Sequence, residues 1–168
     1  MKCPECKKNL VFLKGRHHYT ESGLDNIYLD GIDIADCGCG EKIVSISNIP
    51  RLHHIIGETL IIKPSLLTGK EIRFLRKDMG MTAKRLADYL GVTKETVSRW
   101  ENDGRSQGKP LDRLIRLTYA GILEIPMKTQ KTVVDEFPSI LPRQGKSQKI
   151  SVPFESWAVK KRDVCSTT

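Results

Sequence analysis

Two cysteine pairs carry the clearest chemistry in this 168-residue sequence. Cys3 and Cys6 are separated by two residues near the N-terminus, and Cys37 and Cys39 by one, within Cys37-Gly38-Cys39-Gly40. Thiolates are soft ligands, and a structural zinc ion takes four of them in a tetrahedron. Two pairs on two turns therefore read as one zinc site, one ion per chain, held by Cys3, Cys6, Cys37 and Cys39. The second pair is one residue tighter than the usual spacing. A ligand set in which His17, His18, His53 or His54 replaces one cysteine is the alternative. A redox reading of Cys3-x-x-Cys6 needs a βαβ context that the surrounding pattern lacks. Four thiolates would close the coordination sphere to water, which makes the metal structural and not catalytic. The sequence has no His-Glu-x-x-His, Gly-x-Ser-x-Gly, phosphate-loop or dinucleotide pattern, so enzyme activity is not expected. Cys165 reads as a bystander thiol.

The second set of residues lies between Thr82 and Asn102. Helix, glycine-containing turn, helix is the layout of a DNA reader. With Val97 at the buried centre of the later helix, about 100° per residue puts Trp100 and Glu101 beside it and Glu95, Arg99 and Asn102 on the far side. Thr96 and Ser98 flank that stripe. Glu95, Thr96, Ser98, Arg99 and Asn102 are thus the candidates for contact with base edges in a major groove. Thr82, Lys84, Arg85, Lys94 and Arg105 are the candidates for phosphates. The competing reading is an ordinary helical bundle with a solvated polar face.

Charge follows the same division. Residues 1–62 hold 7 basic and 8 acidic side chains, residues 63–125 hold 13 and 8, and residues 126–168 hold 8 and 4. The total of +8 favours a polyanionic partner, and it sits in the middle and the tail. Five cysteines is an odd number, which disfavours a disulfide framework and points to a reducing cytoplasm. The start, Met1 to Cys6, has no apolar core of a signal peptide, and no apolar run is long enough to span a membrane.

The elements that must position these groups read as follows. Leu10 to Leu13 is an apolar run of strand length. Ile27 and Leu29, then Ile32 and Ile34, flank Asp30-Gly31, which predicts two strands joined by a two-residue hairpin turn. Ile43, Val44 and Ile46 form another short strand. Leu52, Ile55, Ile56 and Leu60 keep helical spacing after Pro50. Lys63-Pro64-Ser65 reads as a joint. Thr68 and Glu71 have capping-box spacing and open a helix; Thr82 and Thr93 cap the next two. Pro110 opens a fourth, with Leu111, Leu114, Ile115, Leu117 and Ile122 expected inside. Four prolines and weak periodicity predict an extended, partly flexible arm over 126–168.

Three strings, Leu67 to Lys77, Met81 to Ala87 and Val97-Ser98-Arg99-Trp100-Glu101-Asn102, resemble the Cro/phage-repressor helix-turn-helix family. Together with the two cysteine pairs, the layout over residues 1–125 is similar to the YgiT/MqsA-type regulators. That resemblance implies a zinc-binding N-terminal domain joined to a DNA-binding domain, in proteins many of which are antitoxins. It also implies base reading by an arginine at Arg99; the family's asparagine position is occupied here by Glu95.

The expectation is an α+β protein in four parts: a small zinc-ribbon-like β domain (1–62), a linker (63–67), an all-α helix-turn-helix domain of four to five helices (68–125) and the tail (126–168). Its expected role is a homodimeric transcription regulator, a repressor of its own promoter, bound to a double-stranded DNA operator. A small basic toxin is a further candidate partner. The rival readings are a stand-alone regulator without a toxin and a zinc-ribbon adaptor or RNA-binding protein.

Overall fold

The computed structural model describes residues 1–102, 105–140 and 149–158. Cys165, with residues 141–148 and 159–168 of the expected arm, lies outside them. The fold is α+β: among the described residues, a four-stranded sheet carrying the cysteine turns, and six α-helices.

Strand β1 (Leu13–His18) pairs antiparallel with β2 (Ile27–Asp36), which pairs antiparallel with β3 (Lys42–Ser45). The apolar run at Leu10 to Leu13 lies before and at the start of β1 and not within it; Val11 and Leu13 are exposed. The expected hairpin at Asp30-Gly31 is not formed. β2 runs straight through it as one ten-residue strand. Gly15 faces Ile32 and Arg16 faces Asp30, so Gly31 is an extra residue, a bulge with φ +76°. The bulge accounts for the sequence pattern. Apolar alternation changes phase between Leu29 and Ile32, and one inserted residue returns both to the buried face. Asp-Gly suits a bulge for the same reason that it suits a hairpin: glycine accepts the left-handed conformation.

Helix α1 (Ile49–Ile61) buries Leu52, Ile56, Leu60 and Ile61 on one face. Helices α2 (Gly69–Asp78), α3 (Ala83–Leu90), α4 (Lys94–Asn102) and α5 (Gly108–Ile122) follow. The capping box at Thr68 is complete: its hydroxyl accepts from Glu71 N, and Glu71 accepts from Thr68 N at 2.6 Å. Along α5 the expected phase holds at Ile115 and fails at Leu114 and Leu117. Leu114 and Leu117 are 38% and 39% exposed, while Asp112, Ile115, Arg116, Tyr119 and Ala120 are buried. A buried ion pair defeats apolar periodicity as a guide. Arg116 Nε donates to Asp112 Oδ2 at 2.7 Å, and both side chains are essentially without solvent contact.

That pair grips the joint. Arg116 donates to the carbonyls of Ile61 and Lys63 at 2.8 Å and of Ser65 at 2.6 Å. Asp112 Oδ1 accepts from Leu67 N and from Gln107 Nε2, each at 2.7 Å. Carbonyls that no helix or strand satisfies thus find buried donors. One apolar core runs from Ile27, Leu29 and Ile32 through α1 to Ile72, Val97 and Ile115. Helices α1 and α5 approach so closely that a Cβ at Gly57 would overlap the Tyr119 hydroxyl.

The expected extended arm is corrected as well. Helix α6 (Met127–Asp135) packs on α5, and strand β4 (Ile150–Pro153) returns to the sheet, parallel to β2. Val133, Ile140, Val152 and Trp157 are its buried anchors. They are too widely spaced to show periodicity, and so short a strand depends on a tertiary partner.

Candidate metal centre and nucleic-acid interface

The two cysteine turns meet at one end of the sheet. At the N-terminus, Lys7 N donates to Cys3 O at 3.0 Å and Cys3 N to Lys8 O at 2.9 Å, with Lys7 in the left-handed region at φ 61°. Between β2 and β3, Gly40 N donates to Cys37 O and Cys37 N to Glu41 O, at 2.9 and 2.8 Å, and Gly40 has φ +93°. These closures turn all four sulfurs inward, within 4.8 Å of one another. Cys3 and Cys39 are 3.7 Å apart and Cys6 and Cys37 3.3 Å. A metal with metal–sulfur bonds of about 2.3 Å needs tetrahedral edges of about 3.8 Å, so the set fits such an ion, consistent with zinc. The Cys6 backbone N–H donates to the Cys3 sulfur and, with lesser contributions, holds that thiol down to about 7, which favours the ligating thiolate.

The histidines are elsewhere. His18 Nε2 lies 2.8 Å from Asp25 O and its ring stacks on Tyr28. His17 faces Glu21, His54 faces Glu58, and His53 Nε2 meets the Tyr19 hydroxyl at 2.9 Å. Among the described residues the cluster is four cysteines, without a histidine.

The second site is α3, a turn and α4. Thr82 Oγ1 caps α3 by accepting from Arg85 N at 3.1 Å. Gly91, at φ +65°, ends it, and Val92 N donates to Ala87 O at 3.0 Å. Thr93 Oγ1 then caps α4 through Thr96 N at 3.2 Å. Leu86, Ala87 and Leu90 face Val97 and Trp100 across this turn, all buried.

Sequence reasoning missed how α4 is locked. Glu101 is buried and receives a fork from α2: Arg76 Nε to Oε1 at 2.6 Å and Arg76 Nη2 to Oε2 at 2.8 Å, with Arg73 Nε at 3.3 Å. Arg76 Nη1 also donates to Met81 O at 2.8 Å, tying the fork to the α2–α3 turn. The available signal was the phase of Glu101, close to the buried centre, opposite a helix rich in arginine.

The outer face divides in two. Glu95, Ser98 and Arg99 are exposed, and the Glu95 and Arg99 side chains have no partner among the described residues. Thr96 is half-buried, and its hydroxyl meets that of Thr93 at 3.0 Å. Asn102 is exposed but engaged: its Oδ1 accepts from Arg73 and its Nδ2 donates to Ser98 O at 2.8 Å. Lys84, Arg85, Lys94 and Arg105 are exposed. Exposed cations near the start of two helices, beside a polar stripe, form a surface able to receive a polyanion.

Residues 72–117 match the helix-turn-helix family model. The match runs from α2 into α5 and contains the whole α3–turn–α4 unit. Comparison with curated proteins and with solved structures gives no match. The helix-turn-helix match supports a DNA-binding regulator, and the fork on Glu101 braces the second helix of the α3–turn–α4 unit from α2. Among the described residues no helix is long and apolar enough to cross a membrane.

Proposed function

We propose that the protein is a sequence-specific transcription regulator that binds double-stranded DNA as a homodimer and represses its own promoter. The observation that carries this reading is the outward stripe of α4, braced from behind by Glu101, with Arg99 and Glu95 uncommitted at its centre. Arg99 would fork onto guanine O6 and N7, and Glu95 would accept from cytosine N4. Thr96, Ser98 and Asn102 would complete base contact. Thr82, Lys84, Arg85, Lys94 and Arg105 would hold phosphates. Two-fold symmetry would set the reading helices about 34 Å apart on a palindromic operator.

Zinc is the metal we assign to the four cysteines. When bound it supplies cross-linking of the two turns and no reaction step, since four thiolates leave no position for water. Residues 1–62, with 7 basic and 8 acidic side chains, suit a basic protein partner, which supports an antitoxin role. The cytoplasm is the assigned compartment.

The test is selection of bound sequences from a random duplex pool, with zinc measured on the purified protein. A palindromic consensus and about one zinc per chain are expected. Equal retention of all duplexes, or preference for RNA, would overturn the reading.

A further inference from the structure

Strand β2 changes partner along one edge. Asp33 to Asp36 pair with β3, whereas Ile27 to Asp30 pair with β4, with Ile27 opposite Ile150 and Leu29 opposite Val152. The change-over falls at the Gly31 bulge. Beyond it, β3 is too short to cover the edge, and a strand from the far end of the chain fills the open donors and acceptors.

Residues 150–157 are seated there as a bound peptide would be. Ile150 N donates to Asn26 O at 2.9 Å at the head of the ladder. Val152 and Trp157 are buried, Trp157 to 1% exposure, while Ser151, Pro153, Glu155 and Ser156 face solvent. Arg16 holds the Ser151 hydroxyl at 2.7 Å, and Asn48 Nδ2 holds the Trp157 carbonyl at 3.2 Å. Main-chain bonds along a sheet edge, with pockets for spaced side chains, are the means by which domains accept a strand from another molecule. Two features make this resident replaceable. Its ladder ends after four residues at Pro153. Its buried indole N–H also finds no acceptor among the described residues, a cost that a better ligand avoids.

We propose that the Ile27–Asp30 edge of β2, with the pockets holding Val152 and Trp157, is a strand-accepting site for another protein. Residues 150–157 are its intramolecular ligand. The partner presents an extended segment with a β-branched residue followed five positions later by an aromatic one, and it enters by displacing the tail. The site uses none of the groups on the outer face of α4, so it stands apart from DNA reading.

A fluorescent peptide of residues 149–158 tests this, titrated into the full-length chain and into full-length Trp157→Ala and Val152→Asp variants. Both variants are expected to bind the peptide at least ten-fold more tightly than the unaltered chain, with zinc content and a cooperative melt retained. Ser151→Ala, which removes the Arg16 contact to the tail and leaves the Arg16–Asp30 ion pair in place, should fall between. A peptide carrying alanine at the tryptophan position should not compete. Equal binding by all forms, or by none, would overturn the proposal. So would loss of the cooperative melt in both variants, which would make the segment a fixed part of the core. A dimer of the unaltered chain that dissociates on adding peptide would make a second copy the occupant and overturn the assignment to another protein. Operator binding is measured in parallel, so failure of DNA recognition and failure of strand acceptance are separate results.

Discussion

Arg99 and Lys84 are both exposed cations, yet they should behave differently when removed. Arg99→Ala should cost about 1–3 kcal/mol on the operator and flatten preference at one base position per half-site. Lys84→Ala should weaken operator and scrambled duplex alike and reduce the salt slope by about one unit. Paired titrations against salt check this; equal weakening on both duplexes by Arg99→Ala would make it a phosphate contact. At the metal centre, Cys39 is the exposed sulfur, and Cys39→Ser should still lower zinc affinity sharply, measured by competition with a chelator. Full affinity in that variant would show that the fourth ligand lies elsewhere. The four cysteines and the capping threonines were legible because each has a spacing rule that local backbone geometry enforces. Glu101 was legible only in phase. That it is buried against Arg76 depends on where α2 packs, and no local rule reports that.

The joint between sheet and helices is held by one side-chain pair on α5. Asp112→Ala leaves Arg116 buried without its counter-charge and Leu67 N without its acceptor. Such a change should cost about 3–5 kcal/mol, read from urea unfolding. Replacing Asp112 and Arg116 together by leucine and methionine should cost less than Asp112→Ala alone, because no charge is then stranded. An equal or greater loss in the double variant would show that the carbonyl contacts at Ile61, Lys63 and Ser65 dominate. The same pair explains what was unreadable along this helix. Leu114 and Leu117 fit an apolar stripe, but Asp112 and Arg116 claim the interior through hydrogen bonds to a segment about 50 residues away in sequence. Helix α1 was readable at Leu52, Ile56 and Leu60, since its buried face carries no polar side chain, although Ile55 is only half-buried and Gly57 and Ile61 extend that face. The Asp30-Gly31 signal was half-readable: it located a left-handed glycine correctly, while the choice between turn and bulge was made by Leu13 and Val44 pairing on either side of Ile34. Strand β4 was unreadable because its partner was fixed by tertiary pairing alone.

The apolar core is continuous from the sheet to α5, so the two ends of the molecule should not melt independently. Stripping zinc should lower the melting temperature of the helices as well as unfold the cysteine turns, followed by circular dichroism at helical and aromatic wavelengths. An unchanged helical transition after chelation would show that the halves are uncoupled. The polar bridge across the same boundary predicts a pH effect. His53 accepts or donates at the Tyr19 hydroxyl, and its Nδ1 is 4.0 Å from Asp78, whose other oxygen accepts from the Tyr119 hydroxyl at 2.7 Å. Burial holds the His53 pKa below its usual 6.5, against a smaller opposing pull from Asp78. A depressed histidine binds its proton more readily when unfolded, so its contribution is fully present above about pH 6.5 and diminishes as pH falls below it. The melting temperature should therefore drop on acidification from pH 7 to 5.5, and His53→Gln should remove part of that slope. An identical slope in the variant would assign the effect to other groups.

The cluster of four sulfurs has an electrical consequence. A divalent ion among four thiolates leaves two net negative charges at that end of the sheet, taking the formal charge of residues 1–62 from −1 to about −3. Residues 63–125, with 13 basic and 8 acidic side chains, carry +5. With the ion bound, the two parts would carry charge of opposite sign. In the field of a DNA rod such a separation of charge would favour approach by the helices. Metal loading would then bear on the attitude of approach as well as on folding.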